Sequence, residues 1–117
     1  MLYALLIYED ETIYGPNKSG PAMDAIRARH MALVQELGPV RIGGNGLKAT
    51  ATATTVRTEH GTVSLHDGPY AESKEQLGGF YLIDVPDLDA ALAIARKVPI
   101  SRDGAVEVRP VIPTPPQ

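Results

Sequence analysis

The sequence predicts a single α+β domain in which two helices cover one face of a four- or five-stranded sheet. Three observations point there. Residues 2–8 and 79–85 are short runs with apolar side chains on both parities, the pattern of a strand covered on both faces. Residues Pro21–Leu37 switch to a helical period, with Met23, Ile26, His30, Leu33, Val34 and Leu37 on one stripe. Eleven glycines and ten prolines in 117 residues make turns frequent and elements short. That length suits one domain, since domains commonly run to about 100–150 residues. A chain of this size buries roughly two thirds of its unfolded surface, enough for a core without metal or disulfide staples. With 44% hydrophobic and 21% charged residues, wholesale disorder is excluded.

After the first strand, residues 9–20 are polar and punctuated by Gly15-Pro16 and Gly20-Pro21, which reads as a loop. Pro21 fits a first helical turn, and Gly38-Pro39 stops the helix. Residues 40–43 form a short strand, broken by Gly43-Gly44-Asn45-Gly46. The Thr/Val end of residues 48–58 reads as a strand, turned at His60-Gly61 into a second one over residues 62–66. Asp67-Gly68-Pro69 closes that arm. Asp87 is a natural N-cap for a second helix, Leu88 to about Lys97, because its carboxylate can accept from first-turn amides. Leu88, Ala91, Leu92 and Ala95 make its apolar stripe, Arg96 and Lys97 sit at the negative end of its dipole, and Pro99 follows. Residues 105–109 alternate as a last strand, so the domain spans 1–110. The Pro-rich tail, 111–117, can only be an extended arm. The order is β-α-β-(β-β)-β-α-β. No third helix remains for the second face of strands apolar on both sides. A second copy of the same sheet is the simplest cover, so a symmetric homodimer with a barrel-like internal core is expected.

Composition excludes several function classes. Eleven Lys+Arg against fourteen Asp+Glu give a net charge of −3 without a basic cluster, which argues against nucleic-acid and anionic-membrane partners. The absence of cysteine removes disulfides, Cys-ligated zinc and thiol catalysis together. The N-terminus has no basic n-region or small-residue cleavage site, and no window approaches the roughly 20 apolar residues of a membrane span. A cytoplasmic location is expected. The three histidines, His30, His60 and His66, show no HxH or HxxxH spacing, so neither a metal nor another cofactor is expected. The Gly43–Gly46 cluster lacks the Lys-Ser/Thr of a phosphate loop and reads as a turn.

Residues 66–84, HDGPYAESKEQLGGFYLID, resemble the signature of the DGPF-domain proteins of the YCII-related family, D-G-P-(F/Y)-A-E-(S/T)-K-E-x-L-G-G-(F/Y)-(F/Y)-x-I. The opening MLYALLIYEDE, the segment GGNGLKATATATTVR and the closing VEVRPV are similar to that family as well. The resemblance implies a ferredoxin-like α+β sandwich that dimerises into an α/β barrel. It implies no defined activity; some members are encoded beside alternative sigma factors, which points to a regulatory context.

Asp67, Tyr70, Glu72, Lys74 and Glu75 crowd one rim with mixed charge, which could hold a polar ligand or poise an acid. The same residues also make an ordinary tight turn followed by a solvated loop: Asp67 can bond amides two residues on, Gly68 permits costly dihedrals and Pro69 fixes the exit. His30 lies on the apolar stripe of the first helix, where an imidazole needs a partner and is a ready acid or base. A core histidine bonded to a carbonyl is the alternative. RxxHxxLVxEL-like helices in the wider family carry a His at the matching place, which implies a His/Asp pair. The matching aspartate precedes a late proline in the shorter branch, whereas here the place reads Val98-Pro99. Asp67 is the best substitute. Two functional classes follow: a small dimeric protein binding a small polar molecule, with His30 and Asp67 as acid and base, or a noncatalytic regulatory module whose rim from Tyr70 to Glu75 contacts a protein partner.

Overall fold

The computed structural model describes residues 1–115. Strand β1 (Leu2–Glu9) leads through two 3-10 turns, Glu11–Tyr14 and Pro16–Lys18, to helix α1 (Pro21–Leu37). Then come β2 (Arg41–Gly46), the hairpin β3 (Thr54–Glu59) and β4 (Thr62–Asp67), β5 (Gln76–Asp84), helix α2 (Leu88–Ala95) and β6 (Gly104–Pro110). The main sheet has the order β2-β5-β1-β6, and each of its pairings is antiparallel. β3 and β4 make a separate two-stranded sheet. The molecule is α+β, as the two periodicities predict.

β1 sits in the middle, with Leu5 opposite Tyr81 on one side and Val108 on the other. Its side chains alternate as the pleat requires. Tyr3, Leu5 and Ile7 join Tyr81 and Ile83 of β5, Leu33 and Leu37 of α1 and Ala91 of α2 in one buried cluster. Both helices therefore cover the same face. On the other face Leu6 lies opposite Phe80 and Ala4 opposite Leu82, and Phe80 keeps 38% of its surface exposed. Within the described chain the sheet is open and does not close into a barrel.

Several boundaries differ from the sequence reading for physical reasons. α2 stops at Ala95 because the next amides turn tightly, with Lys97 N–H donating to Ile94 O and Val98 N–H to Ala95 O. Asp87 caps its start, accepting from Ala90 N–H at 2.9 Å. β2 runs on through the glycine cluster instead of breaking at it. Gly44, at φ +143°, lies so close to β5 that a Cβ would stand 2.5 Å from Phe80 O. Glycine here allows close strand approach. β5 starts at Gln76, paired with Glu9, three residues before the apolar run. The loop 9–20 carries two 3-10 turns, the first capped by Asp10 accepting from Thr12 N–H. Of the expected C-terminal arm, Val111 N–H donates to Leu2 O, and residues 116–117 lie outside the described part.

Candidate functional site

α1 starts from Pro21 and turns its stripe towards the sheet, burying Ile26 and Leu33. His30 lies between them on the same stripe and is half-buried. Its partner comes from β5: Tyr81 sits on the inward parity with Ile83, and its hydroxyl is 2.7 Å from His30 Nδ1. The two rings lie 5.8 Å apart between centroids, inclined by 27°. Burial lowers the His30 pKa below the ordinary imidazole value; the Glu9 carboxylate opposes this and Arg29 adds to it. Burial likewise raises the Tyr81 phenol, against a smaller opposite pull from Arg41. At neutral pH the pair is therefore a neutral imidazole and a neutral phenol. The contact admits two tautomers: Tyr81 donating to Nδ1 with the ring proton on Nε2, or Nδ1–H donating to the phenol oxygen with Nε2 free to accept.

This pair lines a cleft of about 730 Å³ between α1, the β2–β5 edge and the loop after β2. At its floor Glu9, the last residue of β1, is buried and accepts from the Tyr14 hydroxyl at 2.7 Å and from Ser101 N–H at 3.1 Å. Desolvation first, and then Glu9, hold the Tyr14 phenol far above its usual value. Arg41 at the start of β2 donates from Nη2 to Gly44 O at 2.6 Å, while its Nε is shielded from solvent and has no partner among the described residues. Lys18 donates from Nζ to Leu47 O at 3.0 Å. The loop after β2 is pinned by the first 3-10 turn: the Glu11 carboxylate accepts the Thr50 N–H at 3.1 Å and also the Thr50 hydroxyl. Such an arrangement can receive a small molecule against an apolar wall, move a proton at His30 Nε2 and hold charge at Arg41.

The other residues singled out in the sequence lie elsewhere. Asp67 ends β4, is exposed, and its carboxylate makes no hydrogen bond among the described residues. The turn is held instead by Gly68 N–H donating to Ala53 O and by the Thr55 hydroxyl donating to Gly68 O. Tyr70 is 77% exposed, with the Arg57 guanidinium 5.2 Å from its ring centroid. Glu72 is exposed. Lys74 and Glu75 line a second cleft, about 720 Å³, together with Asp10, Arg102 and Asp103. His30 thus meets Tyr81, and the cleft wall does not include Asp67. Among the described residues no group of three or more His, Asp or Glu is placed to hold a metal ion. Tyr81, Arg41 and Glu9 were not legible as site residues. The available signal was parity: a tyrosine among inward apolar neighbours needs a partner for its hydroxyl.

A model of the YCII-related domain matches residues 1–115. The chain belongs to the YCII-related family. An uncharacterized protein of Rhizobium meliloti (strain 1021) is 40% identical to this YCII-related chain over 118 residues, covering 95% of the chain and 92% of the relative. The span matched by the family model includes both helices, the hairpin and the strands that border the cleft. Among the described residues of this family member no helix is long and apolar enough to cross a membrane.

Proposed function

We propose that the chain binds a small polar molecule in the His30 cleft and exchanges a proton with it, His30 and Tyr81 acting as the acid/base pair in the place expected for His30 and Asp67. The 2.7 Å contact between His30 Nδ1 and the Tyr81 hydroxyl, at the wall of a 730 Å³ cleft, carries this reading. A histidine that merely fills a core has no such opening beside it. Neutral imidazole is the form that accepts a proton: with Nδ1–H donating to the Tyr81 oxygen, Nε2 is free to take one, and the phenol oxygen orients the ring and stabilises the imidazolium once formed. The test is a screen of small polar compounds against the assigned imidazole resonances. Compounds should shift His30 and leave His60 and His66 in place. If no compound shifts His30, the cleft is not a binding site.

A second reading is favoured by the hairpin. Val56, Val63 and Leu65 share one face of β3–β4 and are 62%, 63% and 74% exposed. An isolated two-stranded hairpin is marginal in water. We infer that a second copy of the chain covers this hairpin and the open face of the sheet, which gives the dimeric barrel that ferredoxin-like sandwiches of this kind can form. The exposed rim at Tyr70 leaves a regulatory protein contact, such as one in a sigma-factor context, as the noncatalytic alternative. The DGPY motif at Asp67–Tyr70 supports placing the chain with the DGPF-bearing members.

A further inference from the structure

Charge along the walls of the His30 cleft is not distributed as it is over the whole chain. Four cations, Lys18, Arg27, Arg41 and Lys48, line it against one carboxylate, Glu9, although acids outnumber bases in the sequence and the net charge is −3. That one carboxylate is already occupied, accepting from Tyr14 and Ser101, and is buried. It offers little to a ligand cation. The cations, by contrast, have donors to spare. Of the five N–H donors of Arg41 the described residues engage one, and its Nε–H lies out of solvent without an acceptor. The remaining Nη N–H groups of Arg41 have no partner among the described residues and are the ones a ligand acceptor can meet. Lys18 uses one of its ammonium protons on Leu47 O. Apolar side chains share the wall with the cations, Met23, Ile26, Val34 and Leu47 among them.

We propose that the molecule taken up by the cleft is an organic carboxylate with an apolar body, its carboxylate held by Arg41 and Lys18 and its body against Ile26 and Val34. This rests on the reading of the cleft as a binding site and adds the chemical class. A guanidinium fork matches a carboxylate two hydrogen bonds at a time, and partial exclusion from water strengthens the pairing. A neutral molecule would leave the positive wall uncompensated, and a cation would meet repulsion from four sides.

The experiment compares benzoate with benzamide, nearly equal in shape and different in charge, at constant ionic strength on the full chain. The assigned resonances of His30 and Tyr81 are the readout. Benzoate should shift both with saturation, and benzamide should do so at least roughly tenfold more weakly. Arg41→Gln should weaken benzoate by roughly tenfold or more and leave benzamide unchanged. Because Arg41 is partly buried, the double variant Lys18→Gln, Lys48→Gln provides an arm that leaves the core alone, and it should weaken benzoate and leave benzamide unchanged. Equal binding of the two compounds, unaffected by either variant, overturns the carboxylate class and leaves the cleft a binding site. Failure of both compounds, with other neutral compounds still shifting His30, overturns the class as well. Failure of every compound at His30 removes both readings.

Discussion

At the scale of single residues, His30 carries the sharpest expectation. Its pKa is lowered in the folded chain, so between the unfolded value near 6.5 and the lower folded value the unfolded state binds more protons. Stability is then full above about pH 6.5 and falls as pH drops through that window. Urea midpoints should decline from pH 7 to pH 5 more steeply in the native chain than in His30→Leu, and parallel declines would refute the shift. Tyr81→Phe removes the hydroxyl facing Nδ1 and should cost about 0.5–1.5 kcal/mol of stability, read by the same melts. Asp67→Ala should change stability by less than about 0.5 kcal/mol, because its exposed carboxylate bonds nothing among the described residues. His30 was visible in the sequence because an imidazole interrupts a 3.6-residue apolar stripe. Its partner was not, since Tyr81 lies 51 residues away and only the β1–β5 register brings it under the helix.

Among the elements, the two helices and the apolar strands were legible because each follows its own period over many residues. The Asp87 cap was legible too, and Asp87→Ala should cost about 0.5–2 kcal/mol in a urea melt. β2 was read short because glycines weaken a strand in isolation. Packing decided otherwise: Gly44 allows two backbones to approach where any side chain would collide with Phe80 O. Gly44→Ala should force β2 away from β5 and lower the melting midpoint by far more than Gly43→Ala, whose Cβ would meet open space. The cleft itself was not legible, because its walls come from β1, α1, β2, β5 and a loop fixed by one carboxylate, Glu11. Such long-range meetings leave no local pattern.

For the whole molecule, the apolar second parity of β1 and β5 is a feature of both sequence and structure. Phe80 and the hairpin leucine and valines remain accessible in one chain. Light scattering at micromolar concentration should return about twice 12.5 kDa, and a monomer throughout the concentration series would refute the pairing. Leu65→Asp should shift the equilibrium to monomer without lowering the stability of the monomer, since Leu65 is 74% exposed there.

The central position of β1 also sets a timetable. β1 leaves the ribosome before both of its neighbours, β5 on one side and β6 on the other, whose last residue is Pro110. At roughly 5–20 residues per second, the apolar strand waits on the order of 5–20 s for its second neighbour to be synthesised. Even after β5 has paired with it, the other edge of β1 stays open until β6 emerges, and an open edge is a site for mispairing. Closure of the sheet around β1 therefore waits on β6, the last of its strands along the chain.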